Sequence, residues 1–77
     1  MKKRISNKMV SEWMDEWIES RTPEPEYYTP SDIVDMAYND FIYENNIKKI
    51  SKLDRKRVKN IIRKKWKEYV SDLYDYY

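Results

Sequence analysis

The segment SKLDRKRVKNIIRKKWKEYVSDLYDYY, residues 51–77, combines apolar residues at helical spacing with most of the positive charge of the chain. Ser51 and Asp54 are spaced like a helix N-cap and its reciprocal partner in the first turn. Beyond them an apolar residue recurs every three or four positions, which is the pattern of one face of an amphipathic helix. That face consists of Val58, Ile61, Ile62, Trp66, Tyr69 and Leu73. The segment therefore predicts a long third helix over about residues 52–75.

Two shorter amphipathic segments precede it, and each is bounded by residues that begin or end helices. The first, about residues 6–20, can be capped by Ser6 or Asn7 and stops before three prolines within residues 22–30. The second, about residues 30–44, begins with Thr29 as N-cap and a proline in its first turn. Three amphipathic helices joined by two loops predict an all-α fold, a compact three-helix bundle in which residues 1–77 form one domain.

The two loops carry apolar residues that we expect to contact the core. Tyr27 and Tyr28, in the proline-rich first loop, are expected to pack at the edge of the core. Asn45 and Asn46 end the second helix, because Asn tolerates the left-handed conformation that closes a helix. Ile47 and Ile50 then anchor the second loop onto the bundle.

Composition excludes several classes of function. The 77 residues include no Cys, His or Gly, which excludes disulfides, zinc fingers, Cys or His nucleophiles and glycine-rich phosphate loops. No apolar run of about 18 residues is present, and the basic residues 1–13 are not followed by an apolar region, so we expect neither a membrane span nor a secretory leader. We therefore predict a soluble cytoplasmic protein that is not an enzyme, with no catalytic residues, no cofactor and no metal site. A domain this small needs extra stabilisation, which predicts dense aromatic packing or a homodimer.

Charge is strongly segregated along the chain, although its net value is only +2. Residues 29–46 contain four acidic side chains and no basic ones, whereas residues 47–68 contain eleven basic and two acidic side chains. On a helix of about 100° per residue, six polar side chains share the face opposite the apolar one. They form what we call the basic stripe: Lys56, Arg57, Asn60, Arg63, Lys64 and Lys67.

The basic stripe predicts binding to nucleic acid, with duplex DNA favoured, in the manner of a transcriptional regulator. A helix fits the DNA major groove, and Arg57, Asn60 and Arg63 have the side chains that recognise base edges there. Phosphate contacts would come from Lys48, Lys49, Lys52, Lys56, Lys64 and Lys67. Helices two and three resemble a helix-turn-helix arrangement, although the connection is longer than the usual three or four residues and lacks glycine.

The same charge pattern is compatible with a protein partner. The chain could be a protein-interaction module, an inhibitor or adaptor encoded by a virus or plasmid, that binds an acidic protein surface. The stripe could also be a plain solvated face, and Tyr27 and Tyr28 could stack on single strands. Candidate interface residues, alternatively core or helix-end residues, are Met9, Trp13, Trp17, Tyr74, Tyr76 and Tyr77. The same aromatic residues could form the homodimer interface, because Trp and Met are enriched at interfaces.

Overall fold

The structure is a computed structural model, and it describes residues 5–75. Helix α1 comprises Asn7–Arg21, α2 comprises Pro30–Glu44 and α3 comprises Lys52–Asp75. The three helices pack around a common core, which confirms the all-α three-helix bundle predicted from the sequence. Across residues 5–75 no helix is both long enough and apolar enough to cross a membrane.

Local capping determines where the helices begin. The Ser6 hydroxyl accepts a hydrogen bond from the Met9 amide at 3.1 Å, and the Ser51 hydroxyl accepts one from the Asp54 amide at 3.1 Å. At α2 the capping box is complete, because Thr29 and Asp32 each accept a hydrogen bond from the other's amide. These contacts satisfy amides that have no partner within the helix, so the sequence locates all three starts to within a residue.

The core lies between α3 and the two shorter helices. Its fully buried side chains are Val10 and Met14 from α1, Ile33, Val34, Ala37 and Phe41 from α2, and Val58 and Ile62 from α3. Arg57 contacts residues at the start of α1, and Lys65 contacts Asp15 farther along it, so α1 and α3 run in the same direction. α3 is the longest helix, at about 36 Å, and gives the molecule its extended 47 × 20 × 20 Å shape.

Aromatic packing joins α1 to α2. Trp13 packs edge-on against Phe41, with ring centroids 5.3 Å apart, and stacks with Trp17 at 6.3 Å. The Trp17 indole N–H donates to Asp40 Oδ2 at 2.9 Å, and Arg21 forms an ion pair with the same oxygen at 3.1 Å. Aromatic packing of this kind is one of the two sources of extra stabilisation, with a homodimer, that the composition predicts for so small a domain.

The loops differ in how well the sequence predicted them. Ile47 and Ile50 pack against the core as expected, and Asn46 has the left-handed φ of 53°. The expectation for Tyr27 and Tyr28 is wrong, since both are exposed and Tyr27 by 75%. Pro23 is buried in this loop instead, directly after a helix end at which Thr22 takes the left-handed conformation.

Candidate nucleic-acid interface

The basic stripe lies on the face of α3 that points away from the core. Lys56, Arg63, Lys64 and Lys67 are exposed, and none of them forms an ion pair with any residue in 5–75. At a rise of 1.5 Å per residue, the row from Lys56 to Lys67 is about 17 Å long. The fold therefore presents these four positive charges to solvent without an ion-pair partner from the described part of the chain.

Two neighbouring lysines of α3 face the other helices instead. Lys59 forms an ion pair with Asp35 of α2 at 3.6 Å, and its ammonium lies 5.0 Å from the centroid of the Tyr38 ring. Lys65 forms an ion pair with Asp15 of α1 at 3.2 Å. Both lysines are half-buried, so they mark the two edges at which α3 meets its neighbours. The eleven basic side chains of residues 47–68 thus divide into a group that contacts the other helices and a group that is exposed to solvent.

Arg57 differs from the rest of the basic stripe. Its guanidinium donates to the Ile5 carbonyl at 2.5 Å and to Asn7 Oδ1 at 2.6 Å, and it forms an ion pair with Asp54 at 2.9 Å. The side chain is half-buried and turned toward the start of α1. The structure therefore gives Arg57 a packing role, which the periodicity of α3 alone could not indicate because the acceptors lie about fifty residues away in the sequence.

Asn60 and Arg63, the other residues predicted to recognise base edges, contact each other. Arg63 Nη1 donates to Asn60 Oδ1 at 3.2 Å, and both side chains are exposed. This hydrogen bond occupies the carbonyl oxygen of the Asn60 amide but leaves its NH₂ group and most guanidinium donors of Arg63 facing solvent. The pair can still contact a ligand, either as a unit or after the bond opens.

Lysines at the start of α3 and in the loop before it extend the positive surface. Lys48, Lys49 and Lys52 are exposed, and none of them forms an ion pair within the described part of the chain. Leu53 is 82% exposed and lies on the same helical face as Asn60. The sequence pattern had not marked Leu53 as a surface residue, although its distance from the apolar arc of α3 was an available signal.

The acidic residues of α2 mostly have partners inside the molecule. Asp32 belongs to the capping box, Asp35 pairs with Lys59, and Asp40 binds both Trp17 and Arg21. Because these contacts partly neutralise the carboxylates, α2 should repel an anionic ligand on α3 less strongly than the net charge of −4 indicates.

The candidate interface residues have different environments. Trp17 is buried at 4% exposure, and Trp13 and Met9 are half-buried against the same core. Tyr74 is 58% exposed near the end of α3. Tyr76 and Tyr77 lie outside the described residues. Among the described members of the set, the α1 residues thus pack within their own chain and Tyr74 is exposed.

Residues 5–75 contain no cluster of three or more carboxylate, His or Cys side chains arranged to hold a metal ion. Comparisons with protein-family models, curated proteins and solved structures find no match for this chain. The α3 surface is therefore the feature of the molecule that indicates a function.

Proposed function

We propose that this protein binds nucleic acid, with duplex DNA favoured, through the outward face of α3. The observation that supports the proposal is the row of exposed cations formed by Lys56, Arg63, Lys64 and Lys67, which have no ion-pair partner among the described residues. Lys48, Lys49 and Lys52 continue the row toward the start of α3. Lys and Arg neutralise backbone phosphates and displace condensed counterions, which supplies most non-specific affinity for DNA.

Phosphate contacts should outweigh base recognition in this interface. Arg57 is engaged with Ile5 and Asn7, and Asn60 already accepts a hydrogen bond from Arg63. All three base-edge candidates thus have hydrogen-bond partners, which a base would have to displace. We therefore propose binding with modest sequence preference, and a regulator-like role would depend on rearrangement of the Asn60–Arg63 pair.

The shape of α3 suits a duplex. A helix of about 36 Å with a charged row of about 17 Å can lie in the major groove and contact phosphates on its rims. The arrangement of α2 and α3 differs from a standard helix-turn-helix in its connection, since residues 45–51 separate the two helices. The proposal therefore depends on the face of α3, not on membership of that motif.

A titration by fluorescence anisotropy tests the proposal, using a random 25-base-pair duplex at about 50, 100 and 200 mM salt. If about five phosphates are contacted, log K should fall with log salt at a slope of roughly −4 to −5. Lys64→Gln should reduce that slope by about 0.9. The adjacent Lys65→Gln removes the same charge from a lysine that faces Asp15, and should leave the slope unchanged.

Two results would overturn this assignment. Equal effects of the two substitutions would mean that total charge, not this face, controls binding. Absence of duplex binding at 50 mM salt would instead favour the second candidate function, binding to an acidic protein surface. The exposed Leu53 supports that alternative, because a large aliphatic side chain beside cations is suited to a protein contact.

The homodimer also belongs to the proposal. Two copies related by a two-fold axis could place their α3 helices in successive major grooves, about 34 Å apart. Among the described candidates, the contacts of Trp13 and Trp17 within the chain leave the exposed Tyr74 and the half-buried Met9 to meet a second copy. Sedimentation equilibrium over a hundred-fold concentration range, with and without duplex, would establish the assembly state.

A further inference from the structure

A second surface feature lies beside the loop that joins α2 to α3. An open groove there is lined by the partly buried Tyr38, Ile42, Ile47 and Ile50, and also by Tyr43. Tyr43 is the most exposed large apolar residue among the described side chains, at 87%. An exposed aromatic ring beside an apolar groove offers a surface on which a second flat ring can stack.

The polar residues around this groove are mostly hydrogen-bond donors and cations. Asn39 and Asn46 contribute side-chain amides, Lys48 and Arg55 contribute positive charge, and Glu44 contributes a carboxylate. Neither Lys48 nor Arg55 forms an ion pair with a described residue. Aromatic rings combined with amides and unpaired cations are the chemistry by which proteins hold unpaired nucleobases and their phosphates.

We propose that this groove receives an unpaired base from a single-stranded extension of the nucleic acid bound on α3, with the base stacked on Tyr43. The inference rests on the proposed function. Lys48 is part of both surfaces, so a strand that leaves the end of a duplex near Lys49 and Lys52 can continue into the groove. The two cations match the charge of that strand, whereas an apolar peptide would leave both of them and both amides without a partner.

The test compares three kinds of ligand that share one 16-base-pair duplex: blunt-ended, extended by four thymidines, and extended by four abasic sites. Extensions of both polarities are included. The abasic extension carries the same phosphates as the thymidine extension but no bases, so the ratio of their affinities isolates stacking. Aromatic stacking predicts that the thymidine extension binds between about 5-fold and 150-fold more tightly than the abasic one.

Variants then locate the stacking surface. Tyr43→Leu should abolish the difference between thymidine and abasic extensions, and Tyr43→Phe should preserve it. Tyr27→Leu is the matched control and should preserve the difference, because Tyr27 is also a highly exposed tyrosine but lies in the α1–α2 loop, whereas Tyr43 lies near the end of α2. Loss of the difference in Tyr27→Leu would assign the stacking to that loop and overturn the groove proposal. Both positions are exposed, so neither substitution should change the fold.

The outcomes separate the groove proposal from the proposed function. Equal affinity for the thymidine and abasic extensions in the unmodified protein, with blunt-duplex binding intact, would overturn the groove proposal alone. A difference that survives in Tyr43→Leu would also overturn it. If none of these ligands binds at 50 mM salt, both the proposed function and the groove proposal are overturned.

Discussion

The same substitution at two arginines of α3 should affect two different properties, stability at one position and DNA binding at the other. Arg57 and Arg63 belong to one helical face, but Arg57 donates to Ile5 and Asn7, whereas Arg63 donates to its neighbour Asn60. Replacing each in turn by Met removes the charge and keeps an unbranched side chain of good helix propensity. We expect Arg57→Met to reduce stability and Arg63→Met to reduce DNA binding.

The magnitude follows from the contacts. A hydrogen bond from a charged donor contributes about 1.5–3 kcal/mol, and partial exposure of Arg57 reduces its bonds to Ile5 and Asn7 to about 1 kcal/mol each. The exposed ion pair with Asp54 adds between about 0 and 1 kcal/mol. Arg57→Met should therefore cost about 2 kcal/mol, out of roughly 4–12 kcal/mol expected for a chain of this length. For a domain of this size the midpoint of thermal unfolding should fall by about 8–16 °C.

Thermal unfolding followed by circular dichroism, together with the salt dependence of duplex binding, measures both effects. Arg63→Met should change stability by less than about 0.5 kcal/mol and lower the salt slope by about 0.9. Arg57→Met should leave the slope unchanged at a temperature where the variant is folded. A variant Arg57→Met that keeps the unfolding midpoint and lowers the slope would refute this distinction, because Arg57 would then contact phosphate and not α1.

Three further substitutions test the packing. Thr29→Ala removes the capping box of α2 and should cost about 1 kcal/mol by urea denaturation, whereas Thr29→Ser should cost much less. Asp40→Ala leaves the Trp17 indole N–H without its acceptor, so it should cost about 1–3 kcal/mol of stability and change the tryptophan emission. Asp40→Asn keeps an acceptor oxygen and should cost less. Phe41→Ala opens a cavity beside Trp13 and should cost about 3–5 kcal/mol, against less than about 1.5 kcal/mol for Phe41→Leu if the core repacks around it.

The helix boundaries could be predicted because local contacts determine them. Ser6, Thr29 and Ser51 each cap a helix through an amide no more than three residues away, so a short window of sequence contains both partners. The direction of the α3 apolar face is equally local, since 3.6 residues per turn fixes it. The basic stripe follows from the same periodicity, which is why four of its cations face solvent as expected.

Contacts between distant segments could not be predicted in this way. Arg57 has the periodicity of a surface residue, and only the arrival of Ile5 and Asn7 beside it gives it a packing role. Tyr27 and Tyr28 were expected at the core edge on hydrophobicity alone, but the loop buries Pro23 there. The groove beside Tyr43 depends on residues of α2, the second loop and α3, so no single segment of the sequence reveals it.

Charge on the α3 face, not the net charge of the molecule, should determine affinity for DNA. Glu16 is exposed on α1, and its neighbour Asp15 is the residue that turns toward α3. We take the Glu16 carboxylate and the outward face of α3 to be about 20 Å apart, close to the short dimension of the molecule. Two unit charges at that distance interact by about 0.2 kcal/mol in water, and physiological salt screens even this interaction. Combining Lys64→Gln with Glu16→Gln restores the net charge of +2. The double variant should nevertheless bind a duplex as weakly as Lys64→Gln alone in anisotropy titrations at about 150 mM salt. Recovery of the original affinity would show that binding depends on overall charge and that α3 presents no distinct interface.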